Sequence, residues 1–277
     1  MEGDACFPLQ FVTCRPSNMH TAPSRRVAFT LLAHPDDAEI LCAGTLIRLA
    51  DAGWEIHIAT VANGDCGTTV YSREEIARIR KAEGIAGAAL IGATYHCLEE
   101  PDLNVVYSKE TIRKTLDLFR EVAPTLVFAH PRHDYMIDHE QTHLLARGAA
   151  FGYGAPNSST LPLLPGSAIP WLYYCDPVTA TDPYTGEAVT PSTYVDVSEQ
   201  MERKAEMLAC HASQREWLRA HHGMDEYIDA MRRHNADRGA QVGVPFVEAF
   251  TMHRGHPFPQ HDLLAELFGG HWQTVAP

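Results

Sequence analysis

From residue 27 onward, short apolar runs alternate with longer segments whose apolar residues recur at helical spacing. A short continuous apolar run is typical of a strand that is buried on both faces. The runs predict strands at 27–34, 55–62, 94–99 and 125–130. The segments between them predict helices within 39–53, 72–92 and 108–123, and a further helix that starts near Asp138. Because alternating strands and helices join by right-handed crossovers, we predict an α/β fold: a Rossmann-like, mostly parallel sheet with helices on both faces.

The second half of the chain continues the same domain less regularly. Residues 152–192 are rich in Pro, Gly, Ser and Thr, which predicts a loop-rich insertion near the functional site. Further strands are predicted at 193–197 and 246–251, and further helices near 198–220 and 224–238. We therefore expect an irregular N-terminal arm over 1–26 and a single α/β domain over 27–277.

Composition narrows the class of partner. A formal net charge of −13 argues against a nucleic acid or an anionic membrane as partner, since either favours a basic patch. The N-terminus lacks the apolar core of a secretory signal, and no run approaches membrane-spanning length. The seven Cys are scattered without a C-x-x-C pair, as in a reduced cytosolic protein. We expect a cytoplasmic protein with a small-molecule partner, and the pattern leaves open whether it forms a homo-oligomer.

Polar segments follow each of the first four predicted strands. They read "HPDDAE" (34–39), "NGDCG" (63–67), "EEPDLN" (99–104) and "HPRHDYMIDH" (130–139). In an open parallel sheet, ligands bind outside the carboxyl ends of the strands. These four segments should therefore meet at one edge of the sheet and form a site that is rich in carboxylates and imidazoles.

The segment "HPDD" has the residue types of a metal site. His34 and Asp37 can direct an imidazole and a carboxylate at one point, and His139 is placed to add a third ligand. Asp36 then remains beside the ion as a candidate general base for hydrolysis. The simpler alternative is that Asp36, Asp37 and Glu39 only cap a helix. We predict Zn²⁺ as the cofactor, although two His and one Asp accept other divalent ions.

Several motifs resemble one known family. "LLAHPDDAEILCAGTL" resembles the signature of the LmbE-like (PIG-L) zinc-dependent N-deacetylases. "NGDCG", "RKAE", the Asp of "EEPDLN" and "DYMIDH" are similar to further motifs of that family, in the same order. The resemblance covers roughly residues 27–150, and "KAEMLACHASQ" shows a weaker likeness. It implies an enzyme that removes the acetyl group from an N-acetylated sugar or sugar-like small molecule, giving acetate and a free amine.

The resemblance also implies roles for individual residues. The metal ligands would be His34, Asp37 and His139, the general base Asp36, and the substrate-binding residues Arg80 and Asp102. Asp138 would orient a neighbouring His, and with His130 and Asp65 it is expected to surround the ligands. Met136 stands where the family has a His that can assist the oxyanion or the leaving amine. Candidates to replace that His are His130, His133, His253 and His256.

Two other functions compete with the deacetylase. "HEQTH" contains H-E-x-x-H, which in a zinc metallopeptidase would use His139, Glu140 and His143. That interpretation leaves "HPDD" without a role and expects an α+β setting. A non-catalytic α/β domain that binds a metal or a ligand is the second alternative. A dinucleotide-binding fold would need a Gly-rich turn after the first strand, and a nucleophilic hydrolase would need G-x-S-x-G; neither is present.

Overall fold

The computed structural model describes residues 25–215, 217 and 227–269, so most of the predicted N-terminal arm lies outside the described residues. The strands are β1 (Val27–Leu32), β2 (Glu55–Ala62), β3 (Thr94–Glu100), β4 (Leu126–Ala129), β5 (Trp171–Cys175), β6 (Thr193–Asp196) and β7 (Val247–Met252). The helices are α1 (Asp37–Leu41), α2 (Ala43–Asp51), α3 (Arg73–Ala89), α4 (Lys109–Val122), α5 (Ile137–Gly152), α6 (Met201–Ala209), α7 (Tyr227–Val242) and α8 (Leu263–Phe268). No helix in this part of the chain is long and apolar enough to cross a membrane.

The strands form one sheet in the order β3-β2-β1-β4-β5-β7-β6. The five strands from β3 to β5 run parallel, with β1 paired to both β2 and β4. Only β7 runs antiparallel, to β5 on one side and β6 on the other. The predicted α/β fold with a mostly parallel sheet is therefore confirmed.

Strand β1 illustrates why the sheet is covered on both faces. Its side chains alternate between two apolar cores, because successive residues of a strand point to opposite faces. Phe29 and Leu31 pack in the core under α4 and α5, whereas Ala28 and Leu32 pack in the core under α2 and α6. All four are completely buried, as the continuous apolar run predicts.

The predicted helix over 39–53 is divided into α1 and α2. The break lies at Cys42, whose φ of −148° is not helical. The Glu248 carboxylate accepts hydrogen bonds from the backbone N–H groups of Gly44 and Thr45, at 2.8 and 2.6 Å, and so fixes the start of α2. A side chain at position 44 would meet Val197 at 2.7 Å, which explains the glycine. A carboxylate more than 200 residues away thus caps the second helix.

Two further differences concern the second half of the chain. The segment over 152–192 is not irregular throughout, because "WLYYC" forms β5 beside β4. The helix predicted near 198–220 begins as a 3₁₀ turn, continues as α6, and its last residues fall largely outside the described residues. The helix predicted near 224–238 corresponds to α7, and α8 was not predicted.

Candidate metal centre

Three predicted ligands meet at the carboxyl edge of the sheet. His34 and Asp37 follow β1, and His139 lies in the first turn of α5, which follows β4. One ligand atom from each lies within 4.8 Å of the others. All three side chains are buried. The parallel pairing of β1 with β4 produces this meeting, since it brings the ends of the two strands side by side.

The ring geometry distinguishes this trio from a neighbouring one. The His34 and His139 rings are inclined at 48° with centroids 5.3 Å apart, so their lone pairs can converge on one ion. His130, Asp134 and His139 form a second group within ligand distance. There, however, the two imidazoles are stacked, 3.9 Å apart and 15° from parallel. Lone pairs lie in the ring plane, so stacked rings direct them along parallel lines and do not share an ion.

His34 is held by a carboxylate on its outer side. Its Nε2 lies 3.1 Å from Oδ2 of Asp138, which fixes Nε2–H as the donor and turns Nδ1 toward Asp37. Asp138 also accepts the backbone N–H groups of Leu103, at 2.7 Å, and Val105, at 3.3 Å. A carboxylate behind a ligating imidazole is the usual device for fixing its tautomer and orientation. Asp138 therefore lies directly behind the proposed ligands, and the imidazole that it orients is that of His34.

The other two proposed ligands, Asp37 and His139, also have polar partners in the protein. The Asp37 carboxylate accepts the His34 backbone N–H at 2.7 Å, and His130 Nε2 lies 3.1 Å from the same oxygen. His139 Nε2 faces the second Asp37 oxygen at 3.7 Å. On its outer side, His139 Nδ1 lies 3.1 Å from Asp134, off the line of a hydrogen bond. Each ligand thus keeps one face toward the centre and another against the protein.

Without an ion, the electrostatics of the centre favour protons on the imidazoles. Burial opposes a charge on His34, but hydrogen bonds to Asp138 and Asp37 outweigh it and raise the pKa of His34 to about 10. Burial likewise opposes ionisation of Asp37, yet His139 and His130 hold its pKa well below the usual range. An anionic carboxylate between cationic rings is the charge arrangement that a divalent cation would replace.

Asp36 occupies the N-cap position of α1, but its side chain does not cap the helix. Its backbone has φ of +110°, in the left-handed region that non-glycine residues rarely adopt, and its side chain makes no cap hydrogen bond to α1. The carboxylate instead accepts the Tyr227 hydroxyl at 2.5 Å and lies 3.4 Å from Arg80 Nη2. Burial raises the pKa of Asp36, although Arg80 opposes the shift. A raised pKa makes a carboxylate a better proton acceptor.

Arg80 and Asp102 lie beside Asp36, but both are already engaged. Arg80 donates to the carbonyl of Pro35 at 2.6 Å and lies 3.9 Å from Asp102. The Asp102 carboxylate accepts the backbone N–H groups of Gly64 and Cys66. Asp65 lies farther out and accepts the Asp102 N–H at 3.0 Å. Through these hydrogen bonds to backbone N–H groups, the carboxylates of Asp102 and Asp65 hold the loop after β2 against the loop after β3.

The centre opens into a cavity of about 310 Å³. Its described lining includes the predicted His34, Asp36, Asp37, Arg80, Asp102 and His139, together with Ile40, Cys66, Gly67, Leu103, Tyr135, Met136, Gln214, Trp217 and Tyr227. None of these lining residues comes from 152–192. The sequence analysis missed the aromatic and C-terminal members. Only the weak likeness in "KAEMLACHASQ", which contains Gln214, pointed to them.

The candidates to replace the family His lie away from the cavity. His130 is completely buried behind Asp37, and the N–H of Ala33 donates to its Nε2. His133 pairs with Asp182 at 2.7 Å in a separate cavity. His253 bonds to a tyrosine hydroxyl on β5, and His256 is not among the lining residues. None of the four candidates is among the described lining residues, so the structure gives no support to a replacement of the family His by one of them.

The H-E-x-x-H stretch does not form a metallopeptidase site. Glu140 accepts the Asp134 N–H and the Tyr184 hydroxyl, each at 3.1 Å, and lies outside the cavity lining. His143 Nδ1 lies 3.0 Å from the carbonyl oxygen of His130. Neither residue belongs to a candidate metal group of the described residues. Only His139 of this stretch contributes to the centre.

Comparisons with known proteins agree with this geometry. Residues 29–150 match the family model described as PIG-L, GlcNAc-PI de-N-acetylase. Diacetylchitobiose deacetylase from Thermococcus kodakarensis is 27% identical over 199 residues, which are 65% of this chain and 67% of that protein. 4-Oxalmesaconate hydratase from Pseudomonas putida is 24% identical, over 73% of this chain and 78% of that protein. The structure of N,N'-diacetylchitobiose deacetylase from Pyrococcus horikoshii has a TM-score of 0.71 and 25% identity, and covers 85% of this chain and 88% of that one.

Together, the fold and the centre define an α/β protein with a candidate divalent-metal site at the carboxyl ends of its parallel strands. More particularly, residues 29–150 match the PIG-L family model, as the resemblance drawn from the motifs leads one to expect.

Proposed function

We propose that this protein is a divalent-metal-dependent N-deacetylase acting on an N-acetylated sugar or sugar-like small molecule. The observation that carries the proposal is the meeting of His34, Asp37 and His139 within 4.8 Å, with the Asp36 carboxylate beside them in one cavity. The family match and the two deacetylase relatives support it. The products are acetate and a free amine.

The donor set fits a zinc ion. Two imidazole nitrogens and one carboxylate oxygen are the three protein ligands of many catalytic zinc sites, and each imidazole here faces a carboxylate on its outer side. When bound, such an ion polarises a carbonyl oxygen and makes water more acidic. Other divalent ions accept the same ligands. We propose zinc because two imidazoles and one carboxylate are common ligands of catalytic zinc.

Asp36 moves the proton. As a water oxygen bonds to the acyl carbon, Asp36 accepts one proton from that water. When the C–N bond breaks, Asp36 returns this proton to the amine nitrogen and the carboxylate is regenerated. The proton, the new C–O bond and the broken C–N bond balance without a further reactant. Met136, which has neither a donor nor a charge, takes no part in these proton transfers.

Arg80 and Asp102 form the wall that we assign to the polar part of the substrate. Both line the cavity next to Asp36. Their fixed contacts leave them limited freedom to move, so a sugar hydroxyl would meet preorganised groups. Trp217 and Tyr135 add aromatic side chains, which suit the apolar faces of a sugar ring.

Hydration of a carbon–carbon double bond is the second candidate, because one relative is a hydratase. A metal ion and a base that activate water serve either reaction. The negative charge of the cavity favours a neutral amide substrate over a carboxylate-bearing one. Asp36, Asp37 and Asp102 line it, and the guanidinium of Arg80 already lies between Asp36 and Asp102. The three acids would repel a carboxylate-bearing substrate, whereas they would not repel a neutral acetamide.

Acetate release tests the proposal directly. The zinc-loaded protein is incubated with N-acetylglucosamine and N,N'-diacetylchitobiose, and with 4-oxalmesaconate in a separate arm. We expect stoichiometric acetate and amine from at least one N-acetylated compound, and none after removal of the metal by a chelator. Consumption of 4-oxalmesaconate without acetate release from any amide would contradict the proposal and favour the hydratase.

A further inference from the structure

Within the described part of the chain, two side chains form hydrogen bonds with the Asp36 carboxylate, and both reach the same oxygen. The Tyr227 hydroxyl donates to Oδ2 at 2.5 Å, and Arg80 Nη2 lies 3.4 Å from that atom. Tyr227 and Arg80 are themselves buried. Among the hydrogen bonds of the described residues, Oδ1 of Asp36 is left to accept from a molecule in the cavity. The two oxygens of one carboxylate therefore have different surroundings.

The backbone alone does not set this orientation. Asp36 lies in the left-handed region, and its carboxylate makes no bond to the amide groups of α1. An Asp at the start of a helix ordinarily turns its side chain to those amides. The carboxylate is instead held across the cavity by a side chain from α7, which is 191 residues away in the sequence. Strained backbone that is held by distant contacts is typical of functional residues.

We infer that Tyr227 is a positioning residue for the reaction: its hydroxyl fixes Oδ2 of Asp36 so that Oδ1 accepts the proton of the attacking water. This inference rests on the proposed function. Tyr227, which forms this hydrogen bond, lies outside the segment 29–150 that matches the family model.

The hydroxyl also directs the proton after it is taken up. Two donors, Tyr227 and Arg80, already reach Oδ2, so a proton on that oxygen would displace one of them and would stand against the Arg80 guanidinium. A proton on Oδ1 leaves both contacts in place. Tyr227 thereby keeps the proton on the oxygen that faces the substrate, from which it passes to the amine.

Removal of the hydroxyl alone tests the inference. Tyr227→Phe keeps the ring and its packing, and we expect kcat to fall about 10- to 100-fold, as for other groups that orient a reacting residue. KM and zinc content should stay close to those of the wild type. The matched control is Tyr153→Phe, which removes a hydroxyl that donates to the carbonyl of Ala168, outside the cavity lining. Its kcat should be unchanged, and thermal unfolding of both variants reports any loss of stability.

A double-mutant cycle separates a role through Asp36 from a general structural role. In an Asp36→Asn background, Tyr227→Phe should cause little further loss of kcat, because the residue that it positions no longer takes the proton. Multiplicative losses from the two substitutions would overturn the inference.

A crystal structure of Tyr227→Phe gives a readout that does not depend on activity. We expect the Asp36 carboxylate to rotate or to occupy two conformers. A single, unchanged carboxylate orientation would overturn the inference even if the protein is an active deacetylase. If the wild type releases no acetate, the proposed function fails, while the structural comparison still tells whether Tyr227 orients Asp36.

Discussion

The Asp138 carboxylate lies 3.1 Å from Nε2 of His34, a residue 104 positions earlier in the chain. The same carboxylate accepts two backbone N–H groups from the loop after β3. One side chain at the start of α5 therefore ties together the loops that follow β1 and β3. It also fixes the imidazole nitrogen that faces the proposed metal ion.

Loss of this carboxylate should weaken metal binding without removing a ligand. We expect Asp138→Asn to lower zinc affinity about 10- to 100-fold, because the His34 ring loses its charged partner. Calorimetric titration of the metal-free protein with zinc measures the effect. Asp229→Asn, on the exposed face of α7, is the control and should bind zinc like the wild type. Equal affinities in the two variants would show that Asp138 does not hold the ligand.

The general-base role predicts a separation of metal binding from turnover. Asp36→Asn keeps the size of the side chain but removes its ability to accept a proton. We expect normal zinc content and a fall in kcat of about 10²- to 10⁴-fold. Metal analysis and acetate release on the same preparation provide the comparison. Loss of zinc with kcat per bound ion unchanged would assign Asp36 to the ligand set.

The ligand assignment and the peptidase alternative make opposite predictions. His34→Ala should abolish zinc binding and activity, whereas Glu140→Ala and His143→Ala should retain stoichiometric zinc. The reason is that Glu140 bonds to Asp134 and Tyr184, and His143 lies against the carbonyl of His130. Zinc content after dialysis distinguishes the two sets. Zinc retained in His34→Ala but lost in His143→Ala would restore the peptidase interpretation.

Zinc affinity should depend on pH in a defined direction. In the metal-free protein, burial of His34 lowers its pKa, but hydrogen bonds to Asp138 and Asp37 raise it more. The resulting pKa of His34 is about 10. Zinc must displace that proton, so apparent affinity should rise about tenfold per pH unit from pH 7 toward 10. The free energy of unfolding of the metal-free protein should change with pH in the opposite direction, because the protonated His34 ring stabilises the fold. This stabilisation is complete below the unfolded value of 6.5 and is lost as the pH rises through about 10. Zinc affinity that is flat over this range would contradict the assignment.

A buried ion pair away from the cavity should dominate the stability of the C-terminal half. Lys204 and Glu248 are fully buried and 2.6 Å apart, and Glu248 also caps α2. Lys204→Met leaves the carboxylate buried without its cation, so we expect the free energy of unfolding to fall by about 3–5 kcal/mol. Lys81→Met, which breaks an exposed pair with Glu99, should cost less than about 1 kcal/mol. Urea unfolding of the two variants measures the difference, and equal losses would refute this account of the core.

The sequence was sufficient to predict strands β1 to β4 and the proximity of the three proposed ligands, because both follow from local patterns. Continuous apolar runs identified β1, β2 and β4, and parallel pairing then required that the residues after them share one edge. The segment after β1 and the segment before α5 therefore predicted His34, Asp37 and His139 together.

Features that depend on distant contacts could not be predicted in this way. Tyr227 reaches Asp36 from the C-terminal part of the chain, and Glu248 on β7 caps the start of α2. The resemblance implied that Asp138 orients a neighbouring His without specifying which one, and in the structure its partner is His34. Strand β5 was hidden because its five residues lie within a stretch rich in Pro and Gly. Each case is decided by packing in three dimensions.

The central claim is that one divalent ion binds between His34, Asp37 and His139. Anomalous diffraction at the zinc edge, from crystals of the zinc-loaded protein, tests it most directly. We predict one strong peak within about 2.0–2.3 Å of an atom from each of the three side chains, on the side facing Asp36. A protein that binds zinc stoichiometrically but shows the peak elsewhere, with these three side chains unligated, would contradict the account.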